Sequence, residues 1–209
     1  MASGGAVRTR LTRAQSRART RDLLIDSAMQ VVARDGYAGA SVDAIAAQAG
    51  FSMGAVYSNF ATKEELFLAA FERHCAGELA ALAALVDAHP SLDQLLAAVV
   101  DRFADLGEQH RQWWTLWAEL WLYAQRRPHG AARFAEVQAQ TQAVLAGALS
   151  RELTGPTSEL AAVIHALWTG FMLDLLVNPD ALSPPAFRRA VRSLIAAHAA
   201  ETTGGAEDG

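Results

Sequence analysis

The sequence predicts an all-α protein of nine helices, in which the first three form a small N-terminal unit and the others a larger helical body. Two observations favour this fold class. Alanine is frequent while β-branched residues are sparse, which favours helix over strand. Apolar residues recur every three or four positions, and glycine or proline separates the periodic runs.

Three helices are predicted before residue 60, and serines and glycines mark their ends. Ser41 and Ser52 stand at N-cap positions, where a hydroxyl accepts a hydrogen bond from a free N–H group of the first turn. Gly36 and Gly50 stand at C-cap positions, where a left-handed backbone is common. The predicted ranges are about 16–35, 42–49 and 53–59.

Six further helices are predicted after residue 60. Thr62 and Glu65 form a capping box that opens the longest of them, and Pro90 ends it. Pro184 and Pro185 are tolerated in the first turn of the last helix. The predicted ranges are about 62–89, 91–106, 110–127, 130–152, 157–177 and 183–200.

The composition excludes several classes of protein. Cys75 is the single cysteine, so no intrachain disulfide is expected. The apolar segment 160–177 contains His165 and Asp174, which favours a buried helix over a membrane span. We expect no signal peptide, because the N-terminus is polar and arginine-rich. We expect a cytoplasmic protein with no membrane partner, no metal and no cofactor.

The charge is unevenly distributed along the chain. The net charge is −4, yet the first 21 residues carry six arginines and no acidic residue. A basic arm on an acidic body is typical of contact with nucleic acid or a membrane surface, although a solvated tail is the alternative. We expect a flexible basic arm over 1–15 and a disordered tail over 201–209.

The second and third helices, joined by a glycine-containing turn, have the pattern of a helix-turn-helix, which places its second helix in the major groove of DNA. Ser41, Ser52 and Thr62 lie at helix N-termini, which offer free N–H groups to phosphates. Lys63 adds a full positive charge beside one of them. A helical hairpin inside an ordinary bundle is the alternative.

Four spaced motifs occur in order between residues 16 and 70: Gly36-Tyr37, Ser41-Val42-x-x-Ile45-Ala46-x-x-Ala49-Gly50-Phe51-Ser52, Val56-Tyr57-x-x-Phe60 and Lys63-Glu64-Glu65-Leu66. Together they resemble the DNA-binding domain of the TetR/AcrR transcriptional regulators. The resemblance implies a helix-turn-helix domain over 16–62 and a helical effector-binding and dimerisation domain over 63–200. Beyond residue 70, only the number, length and order of the helices agree with the family.

The resemblance also implies which residues meet DNA. The phosphate contacts would be Ser41, Tyr57 and Lys63, and the residues on or near the groove would be Ser52, Met53, Ala55, Tyr57 and Ser58. Three arginines would reach the adjacent backbone or minor groove, namely Arg17, Arg19 and Arg21. Met53 and Ser58 depart from common family usage, so the operator sequence is not predicted.

A single helix reads too few base pairs to select a genomic site, so we expect a homodimer with recognition helices about 34 Å apart on a near-palindromic operator. The last two helices form the predicted interface, because the apolar residues of the helix over 157–177 cover more than one face and those of the last helix form a stripe. The family resemblance implies a four-helix bundle there, and a monomeric core is the alternative. The predicted interface residues are Leu160, Ile164, Leu167, Phe171, Leu175, Val191, Leu194 and Ile195.

Four tryptophans within nine residues, at helical spacing, indicate either a pocket for a small hydrophobic or aromatic effector or a plain core. The predicted pocket residues are Phe103, Trp113, Trp114, Trp117, Trp121, Phe134, His165, Trp168 and Met172, with His110 and Gln138 as further polar groups.

The expected function is a repressor that leaves its operator when the effector binds, with the helix over 62–89 coupling the two domains. A DNA-binding factor without an effector is the alternative. A remote alternative is a serine hydrolase, since Gly50-Phe51-Ser52-Met53-Gly54 matches a nucleophile elbow. That elbow must follow a buried strand, which the sequence does not predict, and we therefore expect no enzymatic activity.

Overall fold

The computed structural model describes residues 12–104, 108–124, 126, 128–178, 180 and 183–204, with the backbone alone at 103–104, 108–109, 128–129 and 203–204. All regular secondary structure in these ranges is helical, which confirms the predicted fold class. The helices are α1 (Arg13–Gly39), α2 (Val42–Ala49), α3 (Met53–Asn59), α4 (Lys63–Ala88), α5 (Leu92–Ala104), α6 (Glu108–Ala124), α7 (Pro128–Leu149), α8 (Ser158–Val177) and α9 (Pro184–Gly204).

The two ends of the helical region differ from the prediction. Helix α1 begins at Arg13 because Thr12 and Gln15 form a capping box, so residues 13–15 are helical rather than flexible. Helix α9 continues to Gly204, and the hydroxyl of Thr202 donates to main-chain carbonyls one turn earlier. Residues 201–204 are therefore not disordered. The remaining parts of the predicted arm and tail, 1–11 and 205–209, lie outside the described residues.

The chain divides into two compact units, Met1–Ala70 and Phe71–Gly209. The first unit thus includes the first turns of α4 and extends past the boundary predicted at residue 62. The reason is packing: Leu66 and Phe67 are fully buried, and the ring of Phe67 meets Tyr37 edge-on at 5.2 Å. Helix α4 supplies residues to both units.

One core cluster of the second unit is built by α5, α8 and α9. Val100, Phe171 and Val191 are buried in one cluster, and the rings of Phe171 and Phe187 lie 4.9 Å apart. On α7, Arg133 forms a two-armed ion pair with Glu72 of α4. Among the described helices, only α8 is long and apolar enough to cross a membrane by length and composition, and most of its apolar window is not buried within the chain.

Candidate nucleic-acid interface and effector cavity

Helices α2 and α3 form a helix-turn-helix whose ends are set by local hydrogen bonds. The hydroxyl oxygen of Ser41 accepts from the N–H of Ala44 at 3.1 Å, and that of Ser52 accepts from Ala55 at 3.2 Å. Gly50 ends α2 in the left-handed region at φ +71° and ψ +29°, a conformation that favours glycine. Each serine caps its helix through oxygen and keeps its hydroxyl hydrogen for another acceptor.

One side of this unit is a small apolar core. The side chains of Leu24, Ile45, Val56 and Phe60 are almost completely buried, so α1, α2 and α3 hold one another in place. The opposite side of α3 faces outwards, and Tyr57 is 51% exposed. The short helix α3 is therefore anchored by its apolar face and leaves its polar face for a partner.

The other residues predicted near the groove differ in how much surface they offer. Met53 and Ala55 are half-buried, whereas Ser58 is exposed. The hydroxyl of Ser58 donates to the carbonyl of Ala55 at 2.9 Å, and its oxygen accepts from the side-chain amide of Asn59 at 3.4 Å. Gly54 is exposed in the first turn of α3, where a glycine lowers the stability of the helix.

Lys63 begins α4 beside the helix-turn-helix. Its ammonium group lies 5.4 Å from the ring centre of Tyr37 and 5.3 Å from that of Phe67, within the range of a cation–π interaction. The two rings hold the positive charge of a flexible side chain near the start of the helix.

The three predicted arginines of α1 occupy two environments. The guanidinium of Arg17 donates to the main-chain carbonyl of Ser58 at 3.1 Å, and that of Arg21 donates to the carbonyl of Asn59 at 2.9 Å. Arg19 is exposed. Sequence reasoning did not find these contacts, because they join residues about forty positions apart.

The segment that matches the nucleophile elbow does not have the structure of one. Ser52 lies between two helices, and its oxygen is engaged as an N-cap. A nucleophile elbow places its serine between a buried strand and a helix. The local structure thus explains Ser52 without catalysis.

The second unit contains an apolar cavity of about 230 Å³. Its walls come from α4 to α9, and six of the predicted pocket residues line it: Trp113, Trp114, Trp117, Phe134, His165 and Trp168. His110 and Gln138 line it as well. The tryptophan cluster is thus largely a cavity wall.

Two predicted pocket residues, Trp121 and Met172, do not line the cavity, and a third, Phe103, is not tested by the structure. Trp121 is 42% exposed and does not line the cavity, because it stacks on the far side of Trp117 at 6.3 Å. Met172 is 1% exposed and packs in the core of α5, α8 and α9. The side chain of Phe103 lies outside the described residues.

Polar residues of α4 also line the cavity, and the sequence analysis missed them because no local pattern in α4 shows which helix packs beside it. The imidazole of His74 stacks on Trp113 at 3.9 Å, and burial lowers its pKa from 6.5 to about 4. Burial also lowers the pKa of His165. The pKa of the Cys75 thiol rises to about 12, mainly through burial and also through Glu78.

These shifts describe a cavity with little net charge. Near neutral pH both of these histidines and the thiol are uncharged. The carboxylate of Glu78 is paired with Arg102, whose guanidinium lies 3.1 Å away. The walls therefore suit an apolar or aromatic molecule, with a few polar groups to orient it.

The predicted dimer residues separate into three sets by their burial within the subunit. Leu160, Phe171, Leu175 and Val191 are buried within the subunit, so they belong to its core rather than to an exposed surface. Ile164, Leu194 and Ile195 are half-buried and pack against the same clusters. Leu167 is 37% exposed, and Val163 one turn earlier is exposed too. The periodicity identified apolar positions correctly but did not separate the inner face of α8 from the outer one.

Residues 24–70 match the family described as bacterial regulatory proteins, tetR family, and residues 92–200 match the C-terminal domain of BetI-type transcriptional repressors. No curated protein sequence gives a significant match.

Several solved structures share the fold. A transcriptional regulator from Rhodococcus sp. Rha1 is 26% identical, with a TM-score of 0.66 over 85% of this chain and 95% of that one. The multidrug binding protein EbrR in complex with ethidium is 26% identical, with a TM-score of 0.66 over 84% and 98%. EbrR in complex with proflavin is 27% identical, with a TM-score of 0.63 over 84% and 99%. Since the two family matches cover the helix-turn-helix and most of the helical body, the chain belongs to the TetR family of bacterial transcription regulators.

Proposed function

We propose that this protein is a repressor that binds a near-palindromic operator as a homodimer and leaves it when a small hydrophobic or aromatic effector enters the cavity. The observation that carries the proposal is the continuity of α4. Its first turns pack in the helix-turn-helix unit, and its later turns supply Phe71, His74 and Leu82 to the cavity wall. An effector that binds better to one position of α4 shifts the protein towards that position, and DNA affinity changes by the same factor by which DNA changes effector affinity.

The DNA contacts proposed for this surface follow from exposure and charge. Tyr57 and Lys63 would contact phosphates, as would the capping hydroxyls of Ser41 and Ser52, each through its free hydrogen. The outer face of α3 would meet the bases. Selection of bound DNA from a random pool tests this proposal and should return a near-palindrome.

We expect Tyr57→Ala and Lys63→Ala to weaken binding to all DNA sequences, because phosphate contacts carry no sequence information. Lys63→Ala should also reduce the slope of log K against log salt concentration by about 0.9. Substitutions at Ala55 or Ser58 should instead change which sequence is preferred. Fluorescence anisotropy with the selected operator and a scrambled duplex measures both effects. Equal losses from both groups of variants on every duplex would contradict the assignment.

The effector proposal rests on the aromatic cavity and on the similarity to EbrR, which is solved in complex with ethidium and with proflavin. The cavity of about 230 Å³ is somewhat smaller than the ~300–1,000 Å³ that is usual for small-molecule sites, so a compact aromatic compound suits it best. All five tryptophans belong to the second unit, and four of them line the cavity. A bound aromatic compound should therefore quench the intrinsic fluorescence.

We expect Val137→Trp to abolish effector binding while leaving operator affinity unchanged, because Val137 lines the cavity and a tryptophan there would fill it. Ala139→Trp is the matched control, since Ala139 is exposed on the same helix and does not line the cavity. Calorimetry with a compound chosen by fluorescence quenching measures binding. If a broad panel of aromatic compounds neither quenches the tryptophans nor releases DNA, the protein is a DNA-binding factor without an effector.

The dimer surface proposed here is the outer face of α8 together with that of α9. Val163 and Leu167 are exposed, with Ala166 and Gly170 beside them, and small residues such as Ala196 and Ala197 are exposed on α9. Small side chains allow two helices to approach closely, and the exposed leucine and valine supply apolar area. A second subunit on this face would cover the apolar outer side of α8.

A further inference from the structure

The C-terminal end of α3 is held by two arginines of α1. Arg21 donates through Nη1 to the carbonyl of Asn59 at 2.9 Å, and its guanidinium lies 4.1 Å from the ring centre of Phe60. Arg17 donates through Nη2 to the carbonyl of Ser58 at 3.1 Å. Arg17 and Arg21 are four residues apart on α1 and therefore share one face of that helix.

These contacts address a physical weakness of α3. A helix of seven residues has too few internal hydrogen bonds to be stable alone, and its last carbonyls have no partner within the helix. Those carbonyls also form the negative end of the helix dipole. Two guanidinium groups at this end satisfy the carbonyls and offset the partial negative charge, which would otherwise repel phosphates.

We infer that Arg17 and Arg21 are positioning residues for the recognition helix and not phosphate contacts. Arg21 makes the larger contribution because it is partly buried, closer to its carbonyl and stacked on the anchored ring of Phe60. The pair sets the angle at which α3 leaves the turn, and thereby which base edges its side chains reach. The arginines thus determine sequence preference without touching a base.

Arg19 provides a matched comparison on the same helix. It lies two residues from each of the other arginines, is exposed and faces a different side of α1. Any general effect of removing one positive charge near DNA appears in Arg19→Met as well. Only a positioning effect is confined to Arg17 and Arg21.

The decisive variant is Arg21→Lys. A lysine keeps the positive charge and serves a phosphate nearly as well, but it lacks the planar group that donates to a fixed carbonyl while stacking on a ring. We expect Arg21→Lys and Arg21→Met to lower operator affinity about tenfold, the size of a lost hydrogen bond to a charged group. The ratio of operator to scrambled-duplex affinity should fall with it, and the salt slope should not change.

The measurements are anisotropy titrations of full-length protein over a range of salt concentrations, with the active fraction determined for each variant. Partial unfolding alone lowers the active fraction but leaves the specificity ratio of the active protein unchanged, so an unchanged ratio would overturn the inference. A salt slope reduced by about 0.9 in Arg21→Met and restored in Arg21→Lys would overturn it too, because that pattern identifies a phosphate contact.

The inference rests on the proposed role of α3 as the recognition helix. Different experimental results would overturn that role and the positioning inference. A wild-type protein that binds no duplex overturns the role of α3 and the positioning inference with it. Operator binding that is equally strong in wild type, Arg21→Lys and Arg21→Met overturns only the positioning inference.

Discussion

Leu167→Arg is expected to convert the dimer into monomers and to lower operator affinity by about 10²–10⁴-fold, the gain that linking two binding modules normally provides. In a twofold interface each substitution occurs twice, so two arginines would enter an apolar contact without a partner. Leu167 is 37% exposed in the single subunit, so the substitution leaves the subunit core intact. Sedimentation velocity and operator titration measure the two effects.

Leu122→Arg is the control for this substitution. Leu122 is 51% exposed on α6, and the chemical change is the same. We expect this variant to remain dimeric with normal operator affinity. A dimeric Leu167→Arg protein would show that the subunits associate through another surface.

His74→Phe is expected to make the stability of the second unit less dependent on pH. Between pH 6.5 and pH 4 the wild-type unit should lose about 3 kcal/mol of unfolding free energy through His74, and the variant should not. Burial is the main cause of the lowered pKa of His74, whose ring stacks on Trp113; Glu78 acts in the opposite direction, and proximity to His110 lowers the pKa further. Between these two pH values the unfolded chain binds a proton that the folded chain does not. Stability is therefore complete above pH 6.5 and falls as the pH decreases.

A phenylalanine at this position retains a ring to stack on Trp113 but cannot titrate. Urea unfolding followed by tryptophan fluorescence at several pH values and one protein concentration measures the difference, because all five tryptophans belong to the second unit. Near pH 8 the difference in unfolding free energy between the two proteins should no longer change with pH. A residual dependence from His165, whose pKa burial also lowers, should remain in both. Identical pH profiles for the two proteins would contradict the lowered pKa of His74.

Elements with local signals were predictable from the sequence. The serine caps and the left-handed Gly50 define α2 and α3 through contacts that span only a few residues. The capping box at Thr12 and Gln15 was readable by the same rule but was overlooked, which is why α1 begins earlier than predicted.

The cavity was predicted only in part, because helical periodicity shows which residues are apolar but not what each one faces. Trp117 and Trp121 are one turn apart, yet only Trp117 lines the cavity. His74 and Glu78 belong to the wall because α4 packs beside α6, which no local pattern in α4 indicates.

The sequence by itself determined the helices, their order, the helix-turn-helix and the family, since these depend on short-range caps, turns and periodicity. Only the tertiary structure decided that Arg17 and Arg21 hold the end of α3, that Met172 belongs to a core, and that Leu167 faces outwards while Phe171 faces inwards. The physical reason is that each apolar or charged side chain has several acceptable partners, and the packing of helices distant in sequence selects one of them.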